Sequence, residues 1–249
     1  MASPIRQKGN AFPSALSLCS TNVSSDPMPP LKAIIFDLDG TLVDSARDLQ
    51  DATNALLAEE GLRPIGVDEV KSMIGDGAAK LVERAITATG GDLARLPEFV
   101  ARFLKIYEAN ASRHTEAYPG VVDTLASLRR LGLSLAVVTN KPYAATIDIL
   151  EALDLRIYFE TVIGGDTLPE RKPHPAPILM ALKRLDVAPE AALMVGDNYH
   201  DVQAARAAGI RAYAVTYGYS HKPHAELGAD RLIQTMSELL PLIENAGAA

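Results

Sequence analysis

The sequence predicts an α/β fold: a parallel sheet alternating with helices and interrupted, just after its first strand, by an inserted all-helical cap. Three observations carry this prediction. Short apolar runs recur along the chain and end in polar residues, the gaps between them show helical periodicity, and residues 46–117 show helical periodicity alone. The first run, Ala33-Ile34-Ile35-Phe36, is continuously apolar and ends in Asp37, as expected of a strand buried on both faces. In the cap, Leu49, Thr53, Leu56 and Leu57 share one face of a first helix, with Ser45 or Asp44 as its N-cap and Gly61 as its stop. The last cap helix carries Phe99, Phe103, Ile106 and Tyr107, a stripe read as helix packing and assigned no chemistry. Further strands are expected at Leu133–Val138, Thr161–Ile163, Leu193–Val195 and Ala212–Val215. Leu125, Leu128 and Leu131, closed by Gly132, form one intervening helical stripe, and Ile147, Leu150 and Leu153 form another. Right-handed crossovers then give a parallel sheet. Residues 1–30, with Ser, Pro and Asn and little periodicity, read as a disordered extension. The core is therefore expected at 31–45 and 118–249 and the cap at 46–117, with hinges near Ser45 and Ala117.

Composition narrows the function classes. The 249 residues are 48% hydrophobic and carry a net charge of −7. No cluster of Lys or Arg forms a stripe for a nucleic-acid backbone or an anionic membrane, so neither is expected as a partner. No apolar run approaches the roughly 20 residues that span a bilayer. Cys19 is the single cysteine, which excludes an intramolecular disulfide and a cysteine metal site and suits a reducing, cytoplasmic setting. Any metal must be held by oxygen or histidine. A monomer or homodimer acting on a small molecule is the expectation.

Ligands of an open parallel sheet bind beyond the carboxyl ends of its strands. The polar residues gather there: Asp37-Leu38-Asp39-Gly40-Thr41, Thr139-Asn140-Lys141, and Gly196-Asp197-Asn198 with Asp201 one turn on, joined by Arg171-Lys172-Pro173-His174-Pro175. Two carboxylates directly after a buried strand need a cation, and Asp37 and Asp39 with Asp197, and Asp201 beside them, form the hard oxygen set that holds magnesium. For each acid taken alone, a helix cap is the competing reading; for Thr139 it is a cap before Pro142, and for Lys172 a solvated loop charge. Phosphoryl transfer requires a nucleophile, neutralisation of the phosphate oxygens and a proton donor for the leaving alcohol. Asp37 can attack phosphorus to form an acyl phosphate, and Asp39 can protonate the leaving oxygen and then activate water. Thr139, with backbone amides near Asn140 and at Leu38, and Lys172 can bind the phosphate oxygens. In the cap, Gly75 and Gly77 allow close backbone approach to a ligand, and Arg84 is a candidate partner for a substrate carboxylate. His114, His174, His200, His221 and His224 are scattered; His174 lies near the site in a packing role.

These four segments, in this order, resemble the haloacid dehalogenase superfamily. The resemblance implies a Rossmann-like core, a helical cap inserted after the first strand, and magnesium. Carried over by position, it implies Asp37 as nucleophile and metal ligand, Asp39 as acid/base and a ligand through its backbone carbonyl, Asp197 as a ligand, and Thr139 and Lys172 as phosphate binders. The dehalogenases of that superfamily lack the second Asp, which is present here as Asp39, so a phosphatase is implied. The wording DLDGTLVDS at Asp37–Ser45, TNKP at Thr139–Pro142, KPHP at Lys172–Pro175 and TYGY at Thr216–Tyr219 is similar to the bacterial phosphoglycolate phosphatase family, as is the cap run Ile74–Gly77 with Leu81, Glu83 and Arg84. Asn198 departs from it, where Ser is usual. That similarity implies hydrolysis of a small phosphate monoester, 2-phosphoglycolate, to glycolate and phosphate. The alternatives are a broad sugar-phosphate or nucleotide phosphatase, a sugar-phosphate mutase of the same superfamily, and a non-catalytic binding module.

Overall fold

Every side chain of the run Ala33–Phe36 is buried, and this strand, β1, occupies the middle of a sheet. In the computed structural model, Met1 and residues 30–246 are described, so the expectation for residues 1–30 lies almost wholly outside them. After β1 come β2 (Val43–Asp44) and four helices, α1 (Ala46–Glu59), α2 (Val67–Lys71), α3 (Ala78–Ala88) and α4 (Leu96–Glu108). The chain returns through β3 (Glu116–Ala117), α5 (Val121–Arg130), β4 (Ser134–Val138), α6 (Tyr143–Ala152) and β5 (Thr161–Ile163). It ends with α7 (Ala176–Leu185), β6 (Ala192–Gly196), α8 (Tyr199–Ala207), β7 (Arg211–Val215), β8 (Arg231–Ile233) and α9 (Leu239–Ala246).

The main sheet has six strands in the order β5-β4-β1-β6-β7-β8, and every pairing in it is parallel. Alternation sends Ile34 and Phe36 to one apolar cluster and Ile35 to the other, so helices cover both faces. The order reverses at β1, whose neighbours β4 and β6 both come much later in the chain, and a crevice opens at their carboxyl ends. The α/β class with a helical cap is borne out.

Three strands were not anticipated. β8 is a sheet edge in which Arg231 and Leu232 are exposed, so it lacks the buried run that marked the others. β2 and β3 pair antiparallel over two residues each, Val43 with Ala117 and Asp44 with Glu116, where the chain leaves for the cap helices and returns. Such a pair is too short to show a period.

The N-terminus of α1 also differs in detail. Ser45 stands at the cap position but makes no capping bond; its hydroxyl donates instead to Asp39 Oδ1 at 2.5 Å. Asp44 Oδ1 takes over, accepting from the Ala46 amide at 3.1 Å. Gly61 ends the helix as expected, with φ +67° and the Leu62 amide bonded back to Leu57 O at 2.9 Å. In α4, Phe103 and Tyr107 are buried and stacked with centroids 5.7 Å apart. Among the described residues no helix is long and apolar enough to cross a membrane.

The first turn of α1 is tied to the returning chain by Asp48, a buried carboxylate that accepts from the His114 and Thr115 amides and from the Thr115 hydroxyl at 2.7–2.9 Å. Asp48→Ala leaves the His114 and Thr115 amides without a partner, while the Thr115 hydroxyl keeps Ala111 O at 3.1 Å, so it is expected to destabilise the protein by about 2–3 kcal/mol. Urea unfolding measures this, and an unchanged midpoint would contradict the assignment.

Candidate active site

The site grows from the turn that follows β1. Asp37 extends the ladder by donating its amide to Val195 O at 2.9 Å, and the Thr41, Leu42 and Val43 amides all fold back onto Leu38 O at 2.9–3.2 Å. Gly40, at φ +84°, lies so close to Asp197 that an added Cβ would stand 2.5 Å from a carboxylate oxygen. Only glycine lets this turn sit against the end of β6.

Asp37 is buried, and its Oδ1 lies 2.9 Å from Lys172 Nζ, at an angle that leaves this oxygen without a directed hydrogen bond. Lys172 donates to Asp201 Oδ1 at 2.6 Å. The other oxygen of Asp201 accepts from the Asp197 and Asn198 amides at 3.2 and 3.0 Å, closing a capping box at the start of α8 in which Asn198 Oδ1 takes the Tyr199 amide. Asp197 accepts from the Thr41 hydroxyl at 3.1 Å and the Tyr219 amide at 2.7 Å. The carboxylates of Asp37, Asp197 and Asp201 each bring an oxygen within 4.8 Å of the others.

Asp39 points elsewhere. Both its oxygens accept from Lys141 Nζ at 3.0 Å, and Oδ1 accepts from Ser45 as well. Lys141 is buried, with its ammonium 4.7 Å from the centre of the Tyr107 ring. Thr139 is buried at the end of β4 and its hydroxyl accepts from the Lys141 amide at 3.2 Å. The side-chain nitrogen of Asn140 is taken up by Gly75 O and Lys172 O, both at 2.9 Å, so it ties the cap loop to the core. Gly75 and Gly77 both have positive φ, and a Cβ there would lie 3.0 Å from Asn198 Nδ2 and 3.1 Å from Asn140 O. Their smallness thus lets the cap meet the core loops.

One cavity is lined by most of these groups. Asp37, Asp39, Thr139, Asn140, Lys141 and Asp197 face it from the core, and Leu49, Ile74, Gly75, Gly77, Phe103 and Tyr107 from the cap side. The structure therefore brings Asp37, Asp39, Thr139, Asn140, Asp197, Gly75 and Gly77 together around one cavity, with Lys172 directly behind Asp37. Arg84 is not among the lining residues: it pairs with Asp76 at 2.5 Å and donates to Met73 O at 2.9 Å.

Three residues of this site had gone unassigned. Lys141 follows Thr139 by two positions, and that parity just past a strand end is the signal that could have marked it. Tyr107 is the one hydroxyl in an otherwise apolar stripe, buried without a directed hydrogen bond. His200 Nε2 lies 2.6 Å from Asp76 Oδ1, bridging α8 to the cap, and nothing local announces that pairing.

Burial dominates the electrostatics. It pushes the Asp37 carboxyl up to about 6, with Asp201 and Asp39 adding to the rise and Lys172 opposing it. Asp197 is raised well above the usual carboxylate range by burial, then by Asp201 and Asp37. Burial pulls the ammonium of Lys172 down, but Asp201 and Asp37 outweigh it and leave it raised; Asp39 and Tyr107 do the same for Lys141. Four carboxylates thus face two ammonium groups, and the excess negative charge around an Asp37 oxygen without a directed bond fits a hard divalent cation on oxygen ligands.

Residues 34–215 match the family model described as haloacid dehalogenase-like hydrolase. The chain belongs to that family. Within this hydrolase family it is 45% identical over 219 residues to phosphoglycolate phosphatase 1 of Pseudomonas aeruginosa, covering 86% of this chain and 80% of that protein. It is 44% identical over 221 residues to a phosphoglycolate phosphatase of Chromobacterium violaceum, covering 86% of this chain and 97% of that one. Among solved structures, a predicted phosphoglycolate phosphatase from Haemophilus somnus 129pt superposes with a TM-score of 0.82 at 35% identity, covering 86% of this chain and 99% of that chain.

The raised Asp37 carboxyl sets a pH dependence. Its charged form is disfavoured in the metal-free fold, so from about 4 up to about 6 rising pH removes stability, and above that the deficit stays constant. A cation bound there needs the carboxylate and releases its proton. The rise in Tm on adding Mg2+ is therefore expected to be large at pH 7.5 and to shrink as pH falls through about 6. A magnesium-induced shift that is the same at pH 5 and pH 7.5 would contradict this.

Proposed function

We propose that this hydrolase is a magnesium-dependent phosphomonoesterase that converts 2-phosphoglycolate to glycolate and phosphate through an aspartyl-phosphate on Asp37. The carrying observation is Asp37 itself: a buried carboxylate at the end of the central strand, with a lysine 2.9 Å away and an oxygen free of directed hydrogen bonds. Attack by that carboxylate forms an oxygen–phosphorus bond as the ester bond to glycolate breaks. Asp39 donates a proton to the departing oxygen, then takes one from the water that attacks phosphorus, and the Asp37–phosphate bond breaks to release phosphate. Lys172 and Thr139 hold the phosphate oxygens, and Asn140, Gly75 and Gly77 keep the cap, residues 46–117, close above them. Magnesium, when bound by Asp37, Asp197 and the main-chain carbonyl of Asp39, supplies charge that neutralises the phosphate. The names of the relatives at 44–45% identity support the substrate, and the reaction suits a cytoplasmic enzyme with a small-molecule partner.

Phosphate release should be assayed with Mg2+ and with chelator across 2-phosphoglycolate, sugar phosphates and nucleoside monophosphates. Phosphoglycolate is expected to have by far the highest kcat/KM, and both chelator and Asp37→Asn should lower turnover at least about a thousandfold. Activity spread evenly over the esters would remove the substrate and leave a broad phosphatase. No hydrolysis by the unmodified protein would favour a mutase or a binding module.

A further inference from the structure

Lys141 is the one lysine or arginine among the described residues that line the cavity. Burying an ammonium is costly unless something compensates it, and here the compensation is Asp39, gripped through both oxygens at 3.0 Å, with the Tyr107 ring beside it. Lys141 is not needed to balance Asp37, since Lys172 already bridges Asp37 and Asp201. The Asp39 side chain, whose oxygens are held by Lys141 and Ser45, is the one that has to meet the leaving oxygen. Both oxygens accept from Lys141, so the leaving oxygen has to compete with that ammonium for the Asp39 carboxyl group.

The cap offers no competing cation. Leu49, Ile74, Leu81 and Phe103 form its apolar wall, and Arg84 is engaged by Asp76 and Met73 O. In 2-phosphoglycolate the carboxylate carbon is two bonds from the ester oxygen, so a carboxylate oxygen lies roughly 3 Å from the atom Asp39 must protonate. That distance is also the reach of Lys141 from Asp39.

We propose that Lys141 is the specificity-determining cation of this site: it exchanges Asp39 for the carboxylate of the substrate, and the exchange frees Asp39 to bond the leaving oxygen. No covalent bond changes in this step. The inference rests on the phosphoglycolate reading above and adds a consequence to it. An ester with a neutral tail cannot draw Lys141 from Asp39, so it is penalised in kcat as well as in KM.

The test compares 2-phosphoglycolate with 2-hydroxyethyl phosphate, in which a hydroxymethyl group replaces the carboxylate, for the unmodified enzyme and for Lys141→Met. The unmodified enzyme should favour phosphoglycolate by at least about a hundredfold in kcat/KM, with part of the ratio in kcat, and Lys141→Met should bring the ratio to within about threefold. A preference that survives in a folded Lys141→Met overturns the role of Lys141 and leaves the substrate standing. An unmodified enzyme without preference overturns the substrate reading and this inference with it. If Lys141→Met does not fold, inhibition of the unmodified enzyme decides: 3-phosphonopropionate, the methylene isostere of the substrate, should bind at least about tenfold more tightly than its amide. Equal inhibition by the two overturns the proposal.

Discussion

Asp37, Asp197 and Asp201 crowd their carboxylates within 4.8 Å at the carboxyl end of the sheet, in surroundings that bury all three. Like charges at this spacing repel strongly in a medium of low polarity, and each pays a further desolvation penalty. Much of the local architecture answers that repulsion. Lys172 comes in from the loop before α7, the Asp197 and Asn198 amides just ahead of α8 turn toward Asp201, and Thr41 and Tyr219 each give Asp197 a hydrogen bond. The turn after β1 could not approach Asp197 with any side chain at position 40. Among the described residues, Lys172 is the one ammonium between Asp37 and Asp201, so the three carboxylates keep a net negative charge that a cation would use, while the oxygen of Asp37 without a directed hydrogen bond is what a phosphoryl group would meet.

The cap completes these surroundings with an apolar wall over the acids. Its polar contacts with the core include Asn140 donating to Gly75 O and Asp76 meeting His200, and Gly75 and Gly77 let the loop come within contact distance of Asn198 and Asn140. The apolar side chains of α1, α3 and α4 then form the roof, which lowers the local dielectric and strengthens each charge interaction below it. Tyr219 links roof and floor. Its amide serves Asp197, while its hydroxyl accepts from the Ser45 and Ala46 amides at 2.9 and 3.2 Å, where the chain passes into α1. A displacement of the cap would therefore be felt at the acid cluster through one residue.

The core was legible because its strands are buried on both faces, so Ala33–Phe36 reads directly as an apolar run closed by Asp37. Arg231–Ile233 was not, because an exposed edge strand carries no such pattern. The acids were legible for a related reason: Asp37, Asp39 and Asp197 stand at the ends of buried strands, where a carboxylate needs a partner. The partners themselves were harder to read. Lys141 and Asp39 are 102 positions apart, and only the sheet order makes them neighbours. Ser45 looked like a helix cap, and Tyr107 looked like packing. Both descriptions fit the local pattern, but each side chain faces a group that folding alone brings near.

The central claim is that Asp37 becomes covalently bound to phosphorus. The direct measurement is to mix the enzyme with Mg2+ and 2-phosphoglycolate, quench within a turnover, reduce with borohydride and sequence the peptides by mass spectrometry. An acyl phosphate is reduced at its carbonyl carbon, so the account predicts homoserine at position 37 and an unaltered residue 39. Release of phosphate at the full rate with residue 37 unmodified would contradict it.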